Sequence, residues 1–401
     1  MIFFIVEFFL LLFVCNVYSI EFSLDKNIFN EKSWFKITPL TTILKKSPEV
    51  IYTQILDKVY FDYSKFLIAP QFPYQGYFDE LFILTIPHGR VQGTFGHVFI
   101  DNMLSNEMAR ANRYDCLIAP KLEEHNFLKI PGKVAVIAQH GVGQYWGNYY
   151  HTLCEVFGRL AMLEIAGIEY DYLYIPIDKR FVKEILELWG IDLDKIISPS
   201  SEYFGIQAEN LIIPSLVINT SVGHKHAGNF QHPTTLEYVR KKLLQAAKYK
   251  NIDTTDFSKK IFITRKDSYN GRRILNEDEI FALFEKSGFK RYSLCSLSVA
   301  EQIILFNNAE IVVSEQGSGL ANILFCNQGT QIIEIFQTLI DNCFWWVSNV
   351  CRLNYVPIKT LDVDIDYFAN WWDRGLGHLA EAGNNIIAVP LDEIQKCVKT
   401  L

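Results

Sequence analysis

The segment Ile311 to Phe336, IVVSEQGSGLANILFCNQGTQIIEIF, decides how the rest of the chain is read. The apolar run Ile311-Val312-Val313 enters a tight glycine loop, Gln316-Gly317-Ser318-Gly319. A helical stretch, Leu320 to Cys326, follows it, the turn Asn327-Gln328-Gly329 ends the stretch, and Gln331 to Ile335 forms a second apolar run. Strand, loop, helix and strand make a βαβ unit, with its loop where backbone N–H groups and a helix N-terminus hold a phosphate. By itself Gly317-x-Gly319 is a weak signal, because any tight strand-to-helix turn calls for glycine. Asn322 stands where a dinucleotide-binding fingerprint has its third glycine, which argues against that pocket. Glu315 tolerates a bound anion beside it only if its side chain points away. Glu334 ends the second strand, placed either to accept from ribose hydroxyls or to face water.

Upstream of this unit lies a strand, Ile261-Phe262-Ile263, and a helix from Asn276 to Lys286, with Asn276 as N-cap and Glu277-Asp278-Glu279 on its positive end. A further helix spans Ser298 to Asn307. Arg265 falls just past the carboxyl end of the first strand, where open α/β sheets bind ligands, and a guanidinium fork matches phosphate oxygens. Arg272 and Arg273 precede the next helix. They either join a cationic clamp for a diphosphate or pair with Glu277, Asp278 and Glu279.

A similar alternation runs from Lys133. Strands are expected at Val134–Ala138, Tyr172–Ile175 and Leu211–Ile213, and helices at Tyr149–Ile165, Phe181–Trp189 and Thr235–Tyr249. The polar stretch Asn251–Ser258 reads as a domain link. Glu21 to Ile130, with the run Leu81–Ile86, is β-rich. The fold class is therefore α/β, with two Rossmann-like doubly wound domains facing across a cleft. The boundaries fall at 20–250, the β-rich region plus the first α/β domain, and 251–401, the second with a C-terminal tail.

On the helix from Tyr149, His151 and Glu155 are one turn apart and able to touch, opposite the face formed by Leu153, Val156, Phe157 and Leu160. Such a pair lines a cleft and takes a proton from an attacking hydroxyl, through either residue, or else it decorates a solvated face. Gly158 on the same side costs about 1 kcal/mol against alanine in mid-helix, which close approach by another group would explain.

The chain has 401 residues, a net charge of −7 and no basic block, which sets nucleic-acid binding aside. Residues 1–19 carry an apolar run of about 14 residues interrupted by Glu7, short of the roughly 20 that a span needs. They read as a cleaved signal peptide, a signal anchor or a buried core element, and membrane attachment is expected through this segment alone. The expected location is therefore the secretory lumen, endoplasmic reticulum or Golgi, or outside the cell. Asn219-Thr220-Ser221 is a glycosylation acceptor compatible with that. Eight cysteines include no CxxC pair, so a zinc cluster is not expected. Cys343 and Cys351 either bridge in an oxidising compartment or remain buried thiols. Asp362-Val363-Asp364-Ile365-Asp366 has the Asp-x-Asp spacing of some metal–diphosphate sites and equally the alternation of an edge strand. His224 and His226 lack a ligand cluster nearby.

Taken jointly, NYYHTLCEVFGRL, ITRKDSYNGRRILNEDEI and SEQGSGLANILFCNQGTQIIEIF resemble the motif set of glycosyltransferase family 61. The resemblance implies a GT-B-like inverting transferase with a nucleotide-sugar donor, UDP-linked, in its C-terminal domain. The acceptor is a glycan or glycoprotein, with no metal or cofactor needed. His151 and Glu155 match the catalytic positions. Arg265, Gly317, Gly319 and Asn322 match the donor-binding ones, with Arg272, Arg273, Gln316, Ser318 and Glu334 beside them. Many members have His-Gly-Ala-Gly where this chain has Gln316-Gly317-Ser318-Gly319, so a role needing an imidazole there is unfilled. The rivals are a catalytically silent glycan-binding protein of the same fold and an NAD-dependent dehydrogenase.

Overall fold

The computed structural model describes residues 34–38, 40–63, 74–100, 103–105, 116–118, 127–139, 148–201, 204–218, 230–266, 274–336, 343–358 and 389–400. Residues 1–19, Asn219, His224, His226, Arg272, Arg273 and 362–366 lie outside them.

The strands are β1 (Trp34–Thr38), β2 (Ile51–Leu56), β3 (Val59–Tyr63), β4 (Tyr74–Phe78), β5 (Leu81–Pro87), β6 (Arg90–Gln92), β7 (His97–Ile100), β8 (Met103–Ser105), β9 (Cys116–Ile118), β10 (Leu128–Val136), β11 (Tyr172–Tyr174), β12 (Ile196–Ile197), β13 (Gly205–Pro214), β14 (Lys260–Ile263), β15 (Lys290–Tyr292), β16 (Ile311–Glu315), β17 (Gln331–Ile335) and β18 (Asn354–Ile358). The helices are α1 (Leu40–Lys46), a composite α2, then α3 (Arg180–Trp189), α4 (Pro233–Lys248), α5 (Glu277–Glu285), α6 (Val299–Asn308), α7 (Cys343–Val350) and α8 (Leu391–Val398). Helix α2 is α-helical over Tyr149–His151, π-helical over Thr152–Val156 and α-helical again over Phe157–Ile165.

Among the described residues, the second half of the chain builds a five-stranded sheet in the order β15-β14-β16-β17-β18, parallel throughout. Its strands are near-continuous β-branched and aromatic runs, as burial on both faces requires: Ile261, Phe262, Val312, Val313, Ile332 and Ile333 are all fully buried. The order is that of a doubly wound sheet whose direction of winding reverses between β14 and β16. Ligands of such sheets bind outside the carboxyl ends at that reversal. Thr264-Arg265 leaves β14 and Gln316-Gly317 leaves β16 at this point.

The first half repeats the device. β12-β11-β10-β13 are parallel, and β5 and β6 pair antiparallel to β13. The β-rich opening is therefore continuous with the first α/β sheet. Winding reverses between β10 and β13, and Arg159 of α2 binds these two carboxyl ends together. Its guanidinium donates to Pro214 O at 2.7 and 3.1 Å and to Ala138 O at 2.8 Å. Burial pulls this guanidinium down to about 9.

The two halves share one apolar cluster, running from Ile137 and Leu160 through Ile303 and Phe325 to Trp346. Hydrogen bonds brace it. Arg180 of α3 donates to Leu297 O at 2.8 Å, Glu184 caps α6 by accepting from Val299 N at 2.7 Å, and Arg240 of α4 donates to Cys326 O at 2.8 Å. The capping box at Ser298 and Glu301 starts α6 where the sequence placed it. Asn276 occupies the N-cap position of α5 but makes no capping bond. Its side chain instead donates to Val389 O and accepts from Val389 N, both at 2.8 Å, fastening α8 onto α5. Cys343 and Cys351 are free thiols, so the bridge between them is not formed.

Two buried imidazoles set the acid limit of the fold. His97 in β7 and His232 before α4 are each moved by burial from 6.5 down to about 4. Between those two values the unfolded chain binds a proton on each ring that the native chain does not. Stability is therefore complete above about pH 6.5 and declines as pH falls toward 4, by at most about 3 kcal/mol per ring. Urea midpoints at pH 7.5 and 5 are expected to differ accordingly, and His97→Leu to remove up to half of the difference.

Candidate active site

Helix α2 begins at Asn148, whose Oδ1 accepts from Tyr150 N at 2.9 Å and His151 N at 3.4 Å. This cap fixes the first turn and with it the imidazole of His151. The Nδ1 of His151 meets Glu155 Oε1 at 2.7 Å. Glu155 sits in the π-helical turn, closed by Phe157 N donating to Thr152 O. Such single π turns inside α-helices re-aim the side chains they carry and recur at functional sites.

The carboxylate of Glu155 is fully buried and gathers two amides from elsewhere in the fold. Gln139, just past the end of β10, donates from Nε2 to Oε2 at 2.8 Å, and Gln231, before α4, donates to Oε1 at 3.3 Å. Gln231 is itself held by Tyr150 Oη, donating to Oε1 at 3.0 Å, and by Trp346 Nε1, donating to its backbone oxygen at 2.9 Å. His151 is the open member of the pair: its side chain keeps 19 % of its surface against 1 % for Glu155. Because a carboxylate only accepts, Nδ1 carries the proton that faces Glu155.

The face of α2 that was read as lining a cleft or meeting water is buried as well, from Thr152 to Leu163. Gly158 permits this. A Cβ there would stand 2.9 Å from Val217 Cγ2, so the close approach is made by the end of β13's continuation.

At the second sheet's reversal point, Arg265 and the glycine loop are in direct contact. A Cβ on Gly317 would lie 1.1 Å from Arg265 Nη1 and 2.3 Å from Cζ, so the guanidinium occupies the space a side chain would take. Arg265 is largely buried, and the carboxylate of Glu277 accepts from its backbone N–H at 3.4 Å and from Thr264 Oγ1 at 2.8 Å. Lys266 and Arg291 pair with Asp278, at 2.6 and 2.7 Å. Gln316 is buried and Ser318 begins the 3-10 helix Ser318–Phe325. Glu315 is fully buried and accepts from Ile274 N at 3.3 Å.

Two residues expected at the donor are directed inward. Asn322 is fully buried, donating to Gln302 Oε1 at 2.9 Å and to Gly319 O at 3.0 Å. Glu334 is fully buried in β17 and accepts from Tyr355 Oη, so it does not face water. The sheet continues through β18 beyond it, which the strand pattern of β17 by itself does not reveal.

The two assemblies are joined. Tyr149, two residues before His151, donates from its hydroxyl to Asn322 Oδ1 at 2.9 Å. The imidazole–carboxylate pair and the Arg265-covered glycine loop thus belong to one neighbourhood. Gln139, Gln231, Tyr149 and Arg159 are the members that sequence reading left out. Only Gln139 had a usable signal, its place just beyond a strand's carboxyl end. Among the described residues no group of three or more His, Cys, Asp or Glu is placed to hold a metal ion, and no helix is long and apolar enough to cross a membrane.

Residues 149–333 match the profile of the family described as Glycosyltransferase 61. Over 102 residues the chain is 29 % identical to the EGF domain-specific O-linked N-acetylglucosamine transferase of Drosophila melanogaster. That stretch is 25 % of this chain and 19 % of that protein.

Proposed function

We infer that this chain, whose residues 149–333 are a glycosyltransferase family 61 domain, is an inverting glycosyltransferase. It moves a sugar from a nucleotide-sugar, UDP-linked, to a hydroxyl of a glycan or protein, and does so in the secretory lumen. The two doubly wound sheets take the GT-B roles, the first for the acceptor and the second for the donor. The observation that carries the reading is a partly open imidazole, oriented by a buried carboxylate and tied to an arginine-covered glycine loop.

In this mechanism His151 is the base and Glu155 its orienting partner. The acceptor oxygen attacks the anomeric carbon as His151 Nε2 takes its proton, and Glu155 stabilises the imidazolium that forms. The bond from the anomeric carbon to the diphosphate oxygen breaks as the new one forms, on the opposite face of the sugar, and its electron pair leaves with the diphosphate. Arg265 and the amides at residues 317–319 meet that charge where it develops, the role that a metal ion fills in other diphosphate sites. The relative's name specifies an EGF domain, which makes a folded protein hydroxyl the first acceptor to try.

A thermal-shift panel with UDP, UDP-sugars, GDP-sugars and NAD, followed by donor-hydrolysis and transfer assays, tests the reading. Stabilisation by UDP and UDP-sugars with sugar transfer is expected. Stabilisation by NAD alone, or no response to any nucleotide, would overturn it.

A further inference from the structure

We propose that Tyr149 is a positioning residue which couples the glycine loop of the second sheet to the imidazole of His151 on the first. The inference rests on the transferase reading and deepens it. Tyr149 is the first residue of α2, so its hydroxyl acts on the same turn that carries His151. Its hydroxyl donates to Asn322 Oδ1 at 2.9 Å, a bond between residues 173 apart in sequence. The other end of that amide donates to the backbone oxygen of Gly319 at 3.0 Å and to Gln302 at 2.9 Å. Gln302 passes the connection on, donating to Leu294 O at 2.9 Å and Leu297 O at 3.2 Å. Leu297 O is also where Arg180 of α3 arrives from the first half.

Every group in this path has one feasible role. A carbonyl oxygen on Gly319 demands the Nδ2 side of Asn322, which leaves Oδ1 to accept from Tyr149. Burial pushes the Tyr149 phenol well above its ordinary value of 10, so it remains a donor throughout the working pH range. Phe181 packs edge-on against its ring, with centroids 5.4 Å apart, and holds it laterally. A displacement of Gly319 when a diphosphate settles on the loop is therefore delivered through Asn322 to the turn bearing His151. Asn322, expected to bind donor, acts through Tyr149 instead.

The test is Tyr149→Phe, which keeps the ring and its packing and deletes only the hydroxyl. Asn322→Ala and the double variant complete a cycle. Transfer kcat, donor KM, UDP affinity and melting temperature are measured for each. Tyr149→Phe is expected to lower kcat roughly tenfold or more, as the loss of one buried hydrogen bond at a working geometry does, with donor KM and UDP affinity within about twofold. The double variant is expected to be no slower than the slower single one. If Tyr149→Phe lowers the melting temperature yet leaves kcat at the wild-type value, the hydroxyl is only structural and the proposal is overturned. Multiplying effects in the double variant overturn it too. If the wild-type protein transfers no sugar from any nucleotide, the transferase reading itself falls, an outcome distinct from both.

Discussion

Gly317→Ala is expected to lower kcat/KM for the nucleotide-sugar by about two orders of magnitude while leaving the fold intact. The backbone of Gly317 is extended, with φ 170° and ψ 162°, so alanine meets no conformational strain there. What it meets is the guanidinium of Arg265, whose Nη1 lies 1.1 Å from the added carbon. That guanidinium is the far end of a flexible side chain and swings away cheaply, so thermal stability changes little. Its bonds to the departing diphosphate are lost, and charge-assisted bonds of this kind are worth about 3 kcal/mol, which corresponds to the stated loss of rate. Arg265→Ala should produce the same defect by the direct route, and the double variant should be no worse than Arg265→Ala. A Gly317→Ala protein with full activity would mean that the guanidinium does not serve the donor.

The second large effect belongs to His151. His151→Ala is expected to lower kcat by roughly 10²- to 10⁴-fold, with UDP affinity within about twofold, because a base acts on the acceptor hydroxyl and not on the nucleotide. Glu155→Gln is expected to cost less, about 10- to 100-fold. The amide still accepts from His151, but it no longer stabilises the imidazolium and its NH₂ opposes the donating amide of Gln139. An active His151→Ala beside an inactive Glu155→Gln would reassign the base to the carboxylate.

Much of this was legible because parallel sheets write themselves plainly. The apolar runs at 261–263, 311–313 and 331–335 lie in β14, β16 and β17, and glycine and arginine stand at the strand ends where ligands bind. The i, i+4 spacing of His151 and Glu155 was also sufficient to pair them. What escaped reading was tertiary. The π turn under Glu155 is a one-residue change of hydrogen bonding with no sequence signature. The burial of α2 on every side depends on β13 and α4 arriving from far along the chain. Gln139 and Gln231 reach Glu155 from other elements for the same reason. Asn276 has the residue type of a cap, and a partner 113 positions away claimed its side chain. Asn322 aligns with a motif position and is spent on the contact between the two sheets.

That claim on Asn276 bears on how the protein is handled. Asn276 directly precedes Glu277, and Glu277 anchors the backbone of Arg265. Clipping the chain from Val389 onward, an edit that would pass as trimming a ragged end, removes the backbone that Asn276 grips and takes Ile394 out of the apolar packing beside it. An expression design that shortens this terminus therefore tampers with Arg265, the guanidinium proposed to meet the diphosphate.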